Sequence, residues 1–197
     1  MAKLNLAVLI SGSGSNLQAL IDACEELNFP AQIRVVISNR PDAFGLERAQ
    51  KAGIPSFCVD HKNYDEREEF EAVLQTTLEP YPVDLICLAG FMRILTAGFI
   101  EKWPNKIINT HPSLLPKFGG EGMYGEHVHR AVLEANEKES GCSIHYVIPE
   151  VDRGSVILQK TVPVEAGDTI ETLSTRVIAQ EHIAYVDAVR IIAQQQT

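Results

Sequence analysis

The amino-acid sequence predicts an α/β fold: a doubly wound, mostly parallel twisted sheet with helices on both faces. Three observations point to it. Short, almost wholly apolar runs recur along the 197 residues, as strands covered on both faces require. Between them lie stretches with apolar residues at helical spacing, and the alternation of the two patterns is that of βαβ units around a parallel sheet. Glycine or proline marks the changes from one pattern to the other, at Ser11–Ser15, Gly53, Pro82 and Gly90.

Leu4 to Ile10 reads as the first strand, and Leu17, Leu20, Ile21 and Cys24 beyond Asn16 give the first helix its apolar stripe. Gln32 to Ser38 follows as a strand, Ala43 to Ala52 as a helix closed by Gly53, Ser56 to Val59 as a short strand and Glu66 to Leu78 as an acidic amphipathic helix. Val83 to Ala89 is the most apolar run, which places it at the centre of the sheet. Phe91-Met92-Arg93-Ile94-Leu95 leaves that strand, and a short helix over Thr96 to Lys102 returns to Lys106-Ile107-Ile108, a strand ending at Asn109. After the glycine-rich Gly119 to Gly125, Glu126 to Ala135 reads as a helix, and Ser143 to Ile148 and Ser155 to Val164 as strands. Asp168 or Thr169 caps the last helix, with Glu171 and Thr172 in its first turn.

The length suits a single domain over 1–197, with 45% hydrophobic residues for a core and no repeat or proline-rich linker to divide it. A net charge of -9 argues against a general binder of nucleic acid or anionic membranes, so an anionic ligand must be held locally. Met1 to Asn5 lacks the long apolar region of a signal peptide, and no run is long enough for a membrane span. Cys24, Cys58, Cys87 and Cys142 form no Cys-x-x-Cys pair, which suits a reduced cytoplasm with all four as small core residues.

Ile108-Asn109-Thr110-His111-Pro112-Ser113-Leu114-Leu115-Pro116 is where chemistry is expected. Its two prolines forbid a helix, so the strand must stop. Alternate residues of extended chain share a face, so the amide of Asn109 and the imidazole of His111 project together from the carboxyl end of a strand. Open α/β sheets bind ligands at that edge. An isolated His-Pro would read more simply as a core histidine satisfied by a carbonyl; the rigid turn and the paired polar groups favour a site.

Ser11-Gly12-Ser13-Gly14-Ser15-Asn16 opens the first helix, where glycines let backbone amides converge on an anion. It is a poor dinucleotide fingerprint, since Leu17 stands at the third glycine position and the second strand ends in Asn39-Arg40 rather than an acid. Asp152-Arg153-Gly154 by itself means only a turn. His111, His145 and Asp152 have the composition of a two-histidine, one-carboxylate metal site, an alternative set below the metal-free reading. His127 and His129 stand two apart in a predicted helix and read as surface polarity; His145, in mid-strand, reads as structural. Glu181 interrupts the apolar row Leu173, Val177, Tyr185, Ala188, Ile192 of the last helix and needs a partner, either a salt bridge or a ligand.

Asn109-x-His111-Pro112-Ser113-Leu114-Leu115-Pro116, Gly141-x-Ser143-x-His145 and Asp152-x-Gly154, with the Ser-Gly turn in front, together resemble the signature of the folate-dependent formyltransferases over nearly the whole chain. The resemblance implies that family's Rossmann-like fold. It also implies transfer of a formyl group from 10-formyltetrahydrofolate to the amine of 5-phosphoribosylglycinamide, in purine biosynthesis, without metal. Asn109, His111 and Asp152 become the catalytic set, with Asp152 sustaining a protonated His111. Gly14, Ser15 and Asn16 take the substrate's phosphate and Glu181 its ribose hydroxyls. Met92, Arg93, Ile94 and Leu95, with Ile148, Val151, Asp152 and Asn109, enclose the folate, and Arg67 lies near its outer portion. The partners implied are these small molecules, with no nucleic acid and no membrane, handled in the cytoplasm by a monomer or homodimer. Gly119 to Gly125 is longer and richer in glycine than the family's usual segment and reads as a mobile lid.

Overall fold

The computed structural model describes residues 3–195, so Met1 and Ala2, part of the segment read for a leader, lie outside the described residues. Seven strands form one sheet, in the order β3-β2-β1-β4-β5-β6-β7. The strands are β1 (Leu4–Ile10), β2 (Ala31–Ser38), β3 (Ser56–Cys58), β4 (Leu85–Leu88), β5 (Ile107–His111), β6 (Glu139–Tyr146) and β7 (Val156–Pro163). The helices are α1 (Ser15–Glu25), α2 (Phe44–Lys51), α3 (Arg67–Leu78), α4 (Ala97–Ile100), α5 (Glu126–Glu134) and α6 (Ile170–Gln195). The first five strands pair in parallel, while β5–β6 and β6–β7 are antiparallel.

Strand alternation divides the core in two. In β1, Leu4, Leu6, Val8 and Ile10 face one cluster and Ala7 and Leu9 the other. The first cluster is closed by α1, α5 and α6, through Leu17, Leu20, Val128, Val132, Val177 and Tyr185; the second by α3 and α4, through Phe70, Leu74, Phe99 and Ile100. Burial on both faces is why β1 and β4 read as unbroken apolar runs.

The order reverses between β1 and β4, so the connections leaving their carboxyl ends diverge and open a crevice. Ser11 spans it: its hydroxyl donates to Asn39 Oδ1 (2.5 Å) and accepts from the Met92 amide (2.7 Å), tying the ends of β1, β2 and β4 together. Glu71, buried on α3, accepts from the Thr96 amide (2.7 Å) and from the Thr96 hydroxyl, and so fixes the start of α4.

Three readings need correction. β5 runs two residues beyond Asn109, because the antiparallel ladder continues through Thr110↔Ile144 to His111↔Ser143. β6 begins at Glu139 rather than Ser143, held by β7 from Glu139↔Pro163 onward. Cys58 is exposed, since β3 is a three-residue edge strand with a neighbour on one side only.

Candidate active site

Antiparallel pairing sets Asn109 of β5 directly opposite His145 of β6. The loop that joins β6 to β7 then returns Asp152 to the same place, with φ of 56°, a left-handed conformation that aspartate tolerates better than most residues. Gly154 makes this return possible, because a Cβ there would lie 1.7 Å from the Tyr146 carbonyl oxygen.

The four side chains form one group, with His111 and His145 buried and Asn109 and Asp152 partly so. Asp152 Oδ2 lies 3.4 Å from His111 Nδ1 and Asp152 Oδ1 lies 3.6 Å from His145 Nε2, while the Asn109 amide nitrogen is 3.3 Å from His145 Nε2. His111 Nε2 donates to the Phe118 carbonyl (2.7 Å), which leaves Nδ1 as the nitrogen that faces the carboxylate. His145 Nδ1 donates to the Tyr146 carbonyl (2.9 Å), and burial pushes this imidazole down in pKa, so the ring is neutral and Nε2 is an acceptor. One hydrogen of the Asn109 amide is thereby fixed on His145, and the other is free.

The loop around the group is pinned from behind. Ser143 Oγ accepts from the Leu115 amide (3.0 Å) and donates to the Ser113 carbonyl (2.6 Å), and Gln159 Nε2 donates to the Leu115 carbonyl (2.9 Å). The Gly120 amide donates to Asp152 Oδ2 (2.9 Å), so the glycine-rich segment touches the carboxylate directly. Met123 packs on the first core cluster, whereas Tyr124 is exposed, with its ring edge-on to that of His127. In this state the segment is a brace against the group.

Across β4, the Ser11–Asn16 turn lines a cavity of about 260 Å³ with Ala89, Gly90, Met92 and Arg40. Gly14 has φ of 70°, and a Cβ there would lie 2.7 Å from the Cα of Gly45, so the turn admits no side chain at this point. The Arg48 guanidinium donates to the Ser13 carbonyl (2.8 Å) and to Gln18 Oε1 (3.0 Å), holding the turn against α2. Ser15 and Asn16 begin α1, where free backbone amides and the helix dipole favour an anion.

Glu181 of α6 meets this turn from below. Its Oε2 accepts from the Asn16 amide (3.1 Å), while Asn16 Oδ1 is buried with no partner. The Thr110 hydroxyl faces the same carboxyl but lacks hydrogen-bond geometry. Burial pushes the Glu181 carboxyl up to about 7 against those two neighbours. No cation pairs with it among the described salt bridges, which removes the structural ion pair as its explanation.

The remaining predicted contacts divide by exposure. Met92 and Ile94 stand out from the strand exit at 61% and 48% exposure, whereas Leu95 is buried in the second core cluster and offers a ligand only its backbone. Arg93 lies over the Phe70 ring (5.6 Å) with its Nε buried and unpartnered; Arg67 opens the same helix one turn before Phe70. Ile148 and Val151 are half-buried in the loop that carries Asp152.

One histidine departs from its reading, and another adds to it. His145 belongs to the Asn109, His111 and Asp152 group. His129 is buried at 2% exposure, with Nδ1 unpartnered and its pKa lowered by burial; only His127 is on the surface, since positions two apart on a helix face different ways. The signal for His145 was its pairing with Asn109, visible once β5 and β6 are laid antiparallel. Among the described residues no group of three or more His, Cys, Asp or Glu is arranged to hold a metal ion, although His111, His145 and Asp152 do converge.

The family model for formyl transferase matches residues 4–189, and the chain belongs to that family. It is 46% identical over 182 residues to the phosphoribosylglycinamide formyltransferase of Escherichia coli, covering 92% of this chain and 84% of that protein. It is 48% identical over 191 residues to the human trifunctional purine biosynthetic protein adenosine-3, of which it spans only 18%. The crystal structure of glycinamide ribonucleotide transformylase 1 from Symbiobacterium toebii superposes with a TM-score of 0.92 at 46% identity, covering 98% of this chain and 89% of that one.

Proposed function

We propose that this chain transfers the formyl group of 10-formyltetrahydrofolate to the primary amine of 5-phosphoribosylglycinamide, giving the N-formyl ribonucleotide and tetrahydrofolate for purine biosynthesis. The observation that carries the reading is the convergence of half-buried Asn109 and Asp152 with buried His111 at the end of β5, across β4 from a turn that suits an anion. The names borne by the Escherichia coli and Symbiobacterium toebii relatives support the acceptor.

In this reading the acceptor's phosphate lies on the amides of Gly14, Ser15 and Asn16, and its ribose hydroxyls meet Glu181 and the open Asn16 Oδ1. Its amine is thereby directed toward the end of β5. The folate's pterin lies between Met92–Leu95 and the Ile148–Asp152 loop, whose exposed apolar and half-buried backbone groups fit a flat heterocycle. Arg67 and Arg93 stand toward its outer portion.

As the amine attacks the formyl carbon, charge builds on the formyl oxygen. The free hydrogen of the Asn109 amide and a proton on His111 Nδ1 donate to that oxygen, which is the logic of an oxyanion hole. Asp152 Oδ2 faces Nδ1 from 3.4 Å and holds the ring in place for that donation. The tetrahedral carbon then breaks its bond to the folate nitrogen, which gains a proton as the attacking amine loses one, the transfer being relayed through this group, and tetrahydrofolate leaves. No step calls on a metal.

The rest of the reading is one domain over 1–197, working in the cytoplasm as a monomer or homodimer on small molecules, without nucleic acid or membrane partners. No described helix is long and apolar enough to cross a membrane. The test is a discontinuous assay with 10-formyltetrahydrofolate and either glycinamide ribonucleotide, methionyl-tRNA or water as acceptor, with an NADPH titration alongside. Formylation of the ribonucleotide alone is expected. Turnover with another acceptor only, or saturable micromolar NADPH binding, would replace the reading.

A further inference from the structure

Arg40 is used by neither the fold nor the chemistry described so far, yet it lines the crevice at the Ser11–Asn16 turn. Of the residues lining that cavity it alone carries a positive charge. Its backbone is fixed: the Ser38 hydroxyl donates to the Arg40 carbonyl (2.8 Å) and accepts from the Arg40 amide (3.0 Å), so the side chain always starts from the same point at the end of β2. Among the described residues its guanidinium hydrogen-bonds to Asp42 alone, through Nε (3.0 Å) and Nη2 (2.7 Å), with the Asp60 charge also nearby.

That pair is exposed, with 52% of the arginine and 66% of the aspartate side chain accessible, and exposed pairs of this kind contribute little to stability. Asp42 therefore stores the guanidinium in a fork geometry and gives it up cheaply. The other nearby guanidinium, Arg48, is committed to the Ser13 carbonyl and to Gln18, and moving it would release the turn. A phosphate bound to backbone amides carries close to two negative charges, and the chain around it has a net charge of -9, so a mobile cation at the rim has a clear electrostatic task.

We propose that Arg40 is the specificity-determining residue for the acceptor's phosphate. On binding, its guanidinium leaves Asp42 and forms a two-pronged contact with the phosphate oxygens, so that the enzyme selects a nucleoside monophosphate over the phosphate-free nucleoside. This rests on the reading of Gly14–Asn16 as the phosphate site. A planar fork suits both the carboxylate it leaves and the phosphate it meets, and lysine would supply charge without that geometry.

The test compares kcat/KM for glycinamide ribonucleotide with kcat/KM for its dephosphorylated nucleoside, at fixed 10-formyltetrahydrofolate, in the wild type, Arg40→Met, Arg40→Lys and Asp42→Ala. The wild type should prefer the phosphorylated acceptor strongly. Arg40→Met should cut that preference at least tenfold, Arg40→Lys should recover part of it, and Asp42→Ala, which frees the guanidinium, should maintain or increase it. An undiminished preference in Arg40→Met overturns the proposal. So does a loss in Asp42→Ala equal to that in Arg40→Met, which would make the pair a structural clasp. A wild type with no preference for the phosphorylated acceptor overturns the phosphate site itself, a result distinguishable from either.

Discussion

His145 holds the Asn109 amide from directly across the β5–β6 ladder, with Nε2 accepting at 3.3 Å because Nδ1 is committed to the Tyr146 carbonyl. The neutral ring acts here through Asn109, as a positioning residue. His145→Phe should lower kcat roughly ten- to a hundredfold, the scale of a misplaced donor, with a much smaller effect on KM for the ribonucleotide. His145→Gln, which restores an acceptor, should recover part of the loss. Steady-state kinetics on both variants check this; equal loss in the two would mean that the imidazole itself takes part.

His111 and Asp152 should fail as a unit. Each of His111→Ala and Asp152→Asn is expected to cost on the order of a hundredfold or more in kcat, the usual cost of one lost oxyanion donor. The double variant should be scarcely slower than the worse single one, since groups acting together are not additive. Ribonucleotide binding, measured by calorimetry, should survive in all three. Losses that multiply would separate the two roles.

Glu181 gives the protein a pH signature. A carboxyl raised to about 7 from an ordinary 4.5 keeps a proton in the native state that the unfolded chain releases. Its drag on stability is therefore absent below about pH 4.5, grows as pH rises and is complete above about pH 7, at about 3 kcal/mol. Denaturant melts of Glu181→Gln between pH 4 and 8 should lack this slope. The same substitution should raise KM for the ribonucleotide while sparing that for the folate; unaltered kinetics would make Glu181 purely structural.

Tyr185 is wholly buried, and its hydroxyl reaches two strands at once, Leu88 O of β4 at 2.9 Å and Ile108 O of β5 at 3.3 Å. Tyr185→Phe keeps the ring and leaves those carbonyls without that donor, which should cost about 1–3 kcal/mol in a thermal or denaturant melt. A loss below a few tenths of a kcal/mol would show that the ladder satisfies them unaided.

What the sequence made legible follows from where its patterns are local. Leu4–Ile10 and Leu85–Leu88 carry their burial in their own composition, and Asn109 and His111 announce a site through spacing and proline. The start of β6 was hidden, because Glu139, Ser140 and Gly141 are poor strand formers that pairing with β7 holds in place. His145 was hidden for a related reason: its partner Asn109 lies 36 residues away, and only the antiparallel ladder brings the two together. The glycine-rich segment, expected as a lid, meets Asp152 through the Gly120 amide, a contact made by backbone and so invisible in side-chain chemistry.

The two hydroxyl contacts of Tyr185 and the Asn16–Glu181 contact also impose an order of events in synthesis. Every described strand, and the Asn109, His111 and Asp152 set, precedes α6 in the chain, but the carbonyls of Leu88 in β4 and Ile108 in β5 and the amide of Asn16 wait for residues of that helix. On the ribosome the residues of all the described strands emerge before those of α6. The nascent chain cannot finish the acceptor's half of the cleft until α6 emerges, so the capacity to bind the acceptor is acquired after the chemical group is already encoded in the exposed chain.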